Sequence, residues 1–405
     1  MRTPTDEAWL AAGLSRLAAA PVLFALRGLM PEGAVLVGGC VRDALLGRPL
    51  HDVDLAVPCP VAPLARAWAR ALGATHVVLD ESYDSHRLVL RGGHMNLDVT
   101  RYQGNTLEED LRRRDLTVNA LAVRVSTSSE APLGPFVDVC DGLGDLAAGR
   151  LCAPDVANWE ADPLRLLRVY RLLAELGFHV TDDTRAEVRA RVPLLSPVPG
   201  ERVWAELQRL VAGQAAAEAW NMLGEDGLLR VLGWPEQGGL WCVFPEPLDP
   251  EGRLRVQLLG GLTVQDAERL STRLRWPRSM GRSVQALLRG AELWPGGPWP
   301  DRASRLRWLH RLRVRLEPLG LAHARELYAV FGGDAAYAAC TSELQRAELR
   351  PHQPPVVRGD EILRVTRRPA GRWLAQLLQE LAEEQAVGTL TDADEAWRWL
   401  EGRLT

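Results

Sequence analysis

Residues 37–57 read VGGCVRDALLGRPLHDVDLAV, and the end of that run sets a demanding condition. Asp52 and Asp54 stand one residue apart inside an apolar strand pattern, and alternate residues of a strand project to the same face. Carboxylates that close repel each other unless positive charge lies between them. Oxygen-only ligation by such a pair, with positions left for water and phosphate oxygens, suits Mg²⁺. Upstream, the apolar segment 35–39 ends in Gly38-Gly39 and runs into a helix pattern from Val41 to Leu46. Backbone N–H groups at a glycine-led helix start are unobstructed and favour a bound phosphate. The fold must bring a strand, a glycine turn and a helix start to one place.

The first ~150 residues read as a mixed α/β unit. Residues 62–73 have helical periodicity and stop at glycine. Residues 76–80, 86–92 and 95–102 read as strands, with Gly92-Gly93 as a hairpin turn. VDVCDGLGDLAAGRL (137–151) reads as a Gly/Asp-rich loop region. From about Asp155 the pattern turns helical: in 162–178, Leu166, Val169/Tyr170, Leu173 and Leu176 share a face, and 201–213 forms another helix. Pro/Gly-rich breaks at 193–200, 233–239, 244–252 and 295–300 punctuate the remainder, and no repeat is visible.

With 47% hydrophobic and 25% charged residues, the composition is that of a soluble globular chain. No run approaches the roughly 18 apolar residues of a membrane span, and the N-terminus does not read as a secretory signal; a cytoplasmic protein without a membrane partner is expected. The six cysteines are scattered, which implies free thiols and no zinc site. A net charge of −4 is awkward for a nucleic-acid partner. Every basic residue is arginine, however, the fork-shaped donor suited to phosphates, and arginines bunch at 111–115 (LRRRD) and 165–171 (RLLRVYR).

Five segments in order, LVGGCVRDALLGRPLHDVDLAV, LEEDLRRRDLTVNALAV, VDVCDGLGDLAAGRL, ADPLRLLRVYRLLAELGF and ERVWAELQRLVAG, cover residues 36–213. Together they resemble the bacterial class II tRNA nucleotidyltransferases, the family that also holds bacterial poly(A) polymerases. The resemblance implies an α+β fold with a polymerase-β-like nucleotidyltransferase head and an all-helical remainder. The division it implies is a catalytic head (1–154), a neck (155–215), a body (216–330) and a tail (331–405). It further implies that Asp52 and Asp54 hold catalytic Mg²⁺ and that Gly39, Arg42 and Arg114 meet the incoming nucleotide. Asp115 and Asn119 would shape the ribose pocket, and Arg168 and Arg171 would hold the triphosphate. The implied partners are tRNA and CTP, with ATP as a further candidate.

Asp162-Pro-Leu-Arg165 offers a way to choose a base without a template. Residues three apart are neighbours on a helix surface, so the two side chains sit side by side, the carboxylate accepting from an exocyclic amine while the guanidinium donates to ring acceptors. Uracil and guanine would face Asp162 with a carbonyl, and each lost or mismatched contact costs about 1–3 kcal/mol. Relatives usually carry Glu-Asp where this chain has Ala161-Asp162, so a supporting contact is expected to be missing. Asp98, on a neighbouring strand, is left out of the metal set, and His51 reads as a neighbour of the site rather than a base.

Only Gln103-Gly104-Asn105-Thr106 separates the Asp98 strand from LEEDLRRRD. CCA-adding relatives carry a longer mobile segment there. A connection this short cannot act as a lever across a cleft, so the expectation is a CC-adding enzyme working in series with a separate A-adding one. A full CCA-adding enzyme is the alternative. A poly(A) polymerase ranks below both, because its Gly-Arg-Arg-Phe-type stretch is missing around 82–92. The non-enzyme alternative, an inactive RNA-binding relative, is disfavoured by the intact set Asp52, Asp54, Asp115 and Asp162.

Overall fold

The structure is a computed structural model and describes residues 7–26, 28–90, 95–126, 133–235, 248–293, 301–316, 326–327, 330 and 354–404. The sheet-bearing part runs α1 (Glu7–Ala18), α2 (Pro21–Ala25), β1 (Val35–Val37), α3 (Gly39–Leu46), β2 (Asp52–Val57), α4 (Val61–Leu72), β3 (Thr75–Asp80), β4 (Ser85–Val89) and β5 (Asn96–Arg101). It continues with α5 (Leu107–Arg112), a 3₁₀ turn (Thr117–Asn119), β6 (Leu121–Val125), β7 (Leu133–Asp138), α6 (Gly142–Ala148) and β8 (Arg150–Leu151). Then follow α7 (Asn158–Ala161), α8 (Arg165–Leu176), β9 (His179–Val180), α9 (Asp182–Arg191), α10 (Gly200–Ala212), α11 (Ala216–Glu225) and α12 (Leu228–Leu232). The last described helices are α13 (Pro250–Leu259), α14 (Val264–Leu274), α15 (Arg278–Ala291), α16 (Arg302–Arg315), α17 (Gly359–Thr366), α18 (Arg372–Val387) and α19 (Ala393–Leu404). Packing divides the chain into two units, Met1–Val198 with Gly213–Val231, and Pro199–Ala212 with Leu232–Thr405.

In the first unit seven strands pair in the order β3-β4-β5-β2-β1-β6-β7. Among the described residues of this sheet only β2 and β5 run parallel, and its other pairs are antiparallel; β8 and β9 form a separate parallel pair. Alternation along β2 splits the sheet into two faces. Val53, Leu55 and Val57, with Leu88, Leu97 and Val99 of the neighbouring strands, are buried on the face that α4 covers through Val61, Ala65 and Trp68. The other face carries Asp52, Asp54 and Ala56. There α5 packs Leu107 and Leu111 against Val35, Val37, Ala56 and Ala122, covering the β1 end and leaving the aspartates beside its edge.

Two expectations need correction and one falls outside the described residues. Residues 137–151 are not a loop: they hold the end of β7, helix α6 and strand β8. The carboxylate of Asp138 accepts the N–H groups of Cys140, Gly142 and Leu143, so the glycines and aspartates there start a helix. The strand expected at 86–92 is Ser85–Val89, and the expected Gly92-Gly93 turn lies outside the described residues. The second correction concerns Asp162 and is given with the site.

Helix α8 is apolar along most of its surface, with Leu166, Val169, Tyr170, Leu173 and Leu176 buried. It packs on α11. The Tyr170 hydroxyl donates to Asp226 at 2.6 Å, a carboxylate that also accepts from Arg185 at 2.8 Å and Arg189 at 2.6 Å. In the second unit, α10, α13, α14 and α15 pack together. Arg307–Glu384 and Arg311–Glu383 join α16 to α18 at 3.0 and 2.7 Å, and α17 to α19 enclose a core of Ile362, Leu381, Leu390 and Leu400. No described helix is long and apolar enough to cross a membrane.

Burial alone would raise the Asp226 carboxyl, but hydrogen bonds from Arg185, Tyr170 and Arg189 hold it below its ordinary value. A depressed carboxylate stabilises the fold above its unfolded pKa and loses that contribution as pH falls through the folded value. Asp226→Asn is therefore expected to cost roughly 3 kcal/mol near pH 7. The gap to wild type should narrow in urea titrations repeated at progressively lower pH, as the medium becomes acidic enough to protonate the depressed carboxylate.

Candidate active site

The site starts from β2. Asp54 pairs in register with Asp98 on β5, and Asp52 with Asn96. Asn96 donates through Nδ2 to Asp52 Oδ1 at 2.8 Å. Asp98 is gripped by Arg87 of β4 through two bonds of 2.7 Å, Nε to Oδ1 and Nη2 to Oδ2. The same Nη2 lies 3.9 Å from Asp52. Burial, then the charge of Asp98, pushes the Asp54 carboxyl up to about 6 although Arg114 opposes the rise. Burial and the neighbouring carboxylates thus outweigh the positive charge that Arg114 brings to Asp54. Hard oxygen donors with uncompensated negative charge fit a divalent cation. Among the described residues no cluster of three or more His, Cys, Asp or Glu is placed to hold a metal, so the β2 pair would leave further coordination positions to water and substrate.

The glycine turn adjoins this pair. Gly38 has φ +70° and ψ −134°, a backbone conformation that L-residues rarely adopt. A Cβ there would sit 3.1 Å from Arg114 Nη1. Gly39 opens α3 with Asp54 Oδ2 3.6 Å from where its Cβ would lie. Cys40 joins the two elements: the Asp54 N–H donates to its Sγ at 3.4 Å, and its thiol donates to the Val37 carbonyl at 3.2 Å. Burial and the Asp54 carboxylate push the Cys40 thiol far up, so it serves as a neutral strut.

Four residues expected at the site form one hydrogen-bonded chain. Arg42 Nη1 donates to Asn119 Oδ1 at 2.5 Å, Asn119 Nδ2 donates to Asp115 Oδ1 at 2.9 Å, and Arg168 Nε donates to Asp115 Oδ2 at 2.7 Å. Helix α3, the 3₁₀ turn and helix α8 are thereby tied through three polar side chains that are themselves buried: Arg42, Asp115 and Asn119. Burial alone would raise Asp115, but Arg168, Asn119 and Arg171 hold its carboxyl well below the usual range. Arg114 donates to Asp110 at 3.0 Å while its other nitrogen lies against the glycine turn.

Asp162 is not on the helix surface. It caps α7 in extended conformation, φ −141° and ψ 91°, and α8 begins only at Arg165. Pro163 is the cause, because a residue before proline is driven out of the helical region. The Asp162 carboxylate accepts the Leu164 N–H at 3.4 Å, and Arg165 donates through Nη1 to the Arg113 carbonyl at 2.5 Å. Asp162 and Arg165 are neighbours through a capping turn rather than a helical one. Arg171 is buried and bonds both oxygens of Glu175 at 2.8 Å, one turn along α8. The structure thus brings Asp52, Asp54, Gly39, Arg42, Arg114, Asp115, Asn119 and Arg168 into one neighbourhood. It bonds Arg165 to the Arg113 carbonyl, leaves Asp162 in the turn ahead of α8, and ties Arg171 to Glu175 within electrostatic reach of Asp115. The sequence does not signal Arg87 and Asn96, whose roles depend on strand register, or Cys40, whose role depends on how α3 packs against β2.

An antiparallel-rich head with paired aspartates on a central strand, beside a glycine-led helix start, defines a nucleotidyltransferase. Residues 34–152 match the family model described as the Poly A polymerase head domain, and 177–237 match "Probable RNA and SrmB- binding site of polymerase A". The CC-adding tRNA nucleotidyltransferase of Synechocystis sp. is 30% identical over 91% of this chain and 93% of its own length. That of Geobacter sulfurreducens is 31% identical over 91% of each. The crystal structure of the Bacillus stearothermophilus CCA-adding enzyme in complex with CTP shares the fold, with a TM-score of 0.66 at 23% identity over 100% of this chain and 98% of that one. The chain belongs to the tRNA nucleotidyltransferase family, which also includes poly(A) polymerases, and is an enzyme of that family.

Gly38→Ala meets both the positive φ and the approach of Arg114. It is expected to destabilise the fold by about 1–3 kcal/mol, read as a lowered urea midpoint with an unchanged slope.

Proposed function

We propose that this enzyme transfers cytidylate from CTP to the 3′ end of tRNA and stops after the second addition. The observation that carries the transfer chemistry is the Asp52/Asp54 pair on β2, set against the start of α3 at Gly39. When bound there, Mg²⁺ would supply charge neutralisation to the triphosphate and the departing pyrophosphate, and would lower the pKa of the attacking hydroxyl. The protein's own groups do the rest. The N–H groups at the start of α3 and the guanidinium of Arg114 receive phosphate oxygens. Asp115 and Asn119, locked together by Arg42 and Arg168, present a fixed donor and acceptor to a ribose 2′-OH, which itself both donates and accepts. By family resemblance Arg168 and Arg171 add positive charge for the triphosphate.

Base choice falls to Asp162 and Arg165. With Nη1 committed to the Arg113 carbonyl, Arg165 keeps its remaining N–H groups for ring acceptors, while Asp162 accepts from an exocyclic amine. Cytosine and adenine satisfy that pair; uracil and guanine do not. The four-part division into head, neck, body and tail is retained as part of this reading, with a tRNA substrate and work in the cytoplasm.

Termination at CC rests on the connection 103–106. The Gln103 N–H donates to Asp110 at 2.8 Å, the Asn105 N–H to Glu109 at 2.7 Å, and Thr106 caps α5 by accepting the Glu109 N–H at 3.2 Å. Three side-chain anchors on so short a turn support a fixed connection with no lever to re-size the pocket for ATP. Two relatives matched in sequence over more than nine-tenths of their length, those of Synechocystis sp. and Geobacter sulfurreducens, are CC-adding, which favours the same reading.

Purified protein, tRNA transcripts lacking CCA, labelled CTP and ATP should give a product ending in CC; efficient terminal AMP addition would replace this reading with a CCA-adding one. Asp52→Ala and Asp54→Ala should each abolish incorporation by at least about 10³-fold while tRNA binding in a filter assay persists.

A further inference from the structure

The face of the sheet that bears the aspartates continues outward past them, and strand register fixes what it presents. Asp54 pairs with Asp98, Asp98 with Arg87, and Arg87 with Val77. The adjoining row runs Asp52, Asn96, Val89, Thr75. Paired residues share a face, so each row leads from one aspartate across β5 and β4 to the edge strand β3. At the β1 end of this face α5 provides cover. Toward β3 the apolar side chains stand open: Val77 is 41% and Val89 37% exposed. Tyr83, 36% exposed, lies in the β3–β4 turn. Its carbonyl accepts from Gln103 Nε2 at 3.3 Å, and its phenol is within electrostatic reach of Arg165.

We propose that this strip, from Arg87 across Val89 and Val77 to Tyr83, receives the single-stranded 3′ end of the RNA acceptor. The inference rests on the transferase reading above. Three observations favour RNA over another occupant. The strip is continuous, row by row, with the aspartates at which the acceptor hydroxyl must arrive. Arg87 commits Nε and Nη2 to Asp98, and no bond from its Nη1 to a described residue is found, which leaves a donor for a phosphodiester oxygen. Apolar side chains and an exposed aromatic ring suit ribose and base faces, the recurring composition of single-strand sites. At about 4.8 Å per strand the row from Asp54 to Val77 spans roughly 14 Å, enough for about four stacked nucleotides at 3.4 Å each.

Val77→Glu and Tyr83→Ala change exposed positions outside the aspartate set and test the proposal in steady-state extension of tRNA lacking CCA. Each is expected to raise KM for tRNA by about tenfold, equivalent to about 1.4 kcal/mol, with KM for CTP within about twofold. Arg87→Met should raise the tRNA KM as well, and 4-thiouridine placed at the last nucleotide before the CCA should crosslink to residues 75–89. An unchanged tRNA KM in both Val77→Glu and Tyr83→Ala would overturn the proposal. A fall in the mass measured by light scattering at unchanged KM would assign the strip to a second copy of the chain instead. If wild-type protein leaves tRNA unextended, the transferase reading itself fails, and the two failures are told apart.

Discussion

Everything at this site follows from placing two carboxylates side by side on an interior strand. Asp52 and Asp54 sit in a sheet whose opposite face is packed with valine and leucine, and parallel pairing adds Asp98 directly beside Asp54. Three acidic groups on adjacent strand positions repel strongly at low local dielectric. The protein offsets part of that charge with Arg87 on Asp98 and with Arg114 near Asp54, and leaves the rest. Burial, and then the charge of Asp98, push the Asp54 carboxyl well above the usual range, and this incompletely offset pair is the one we propose to hold a divalent cation.

A second arrangement keeps the surroundings of those carboxylates in place. Arg42, Asn119, Asp115 and Arg168 come from a helix, a 3₁₀ turn, the bend before that turn and a second helix, yet form a single chain of charge-assisted bonds. Bonds of this kind in a buried setting hold geometry as well as energy, because an unsatisfied member would be costly. In the proposed reading, the side chains that would contact the nucleotide are thus the ones that hold one another in place. Cys40 extends this rigidity to β2 by bonding the backbone of Asp54.

How much of this was legible in the sequence depends on the range of the interaction. The period-2 strand around Asp52 and Asp54, the glycine-led start of α3 and the amphipathic run of α8 are local patterns, and they fold as read. Asp162 shows where a local pattern misleads: spacing alone suggested one helical turn, but Pro163 forces an extended residue ahead of α8. Residues 137–151 looked like a loop because glycine and aspartate dominate, whereas Asp138 uses its carboxylate to start a helix. Arg87 and Asn96 could not be found at all from the sequence. Their positions opposite Asp98 and Asp52 depend on the register of β4 and β5 against β2, which no single strand encodes.

The charge balance at β2 is the central claim, and anomalous diffraction from crystals soaked with Mn²⁺ and CTP tests it most directly. The account predicts density ligated by Asp52 and Asp54 together, with Arg87 still bonded to Asp98. Metal density ligated elsewhere, or absent from the β2 pair while CTP is bound, would contradict it.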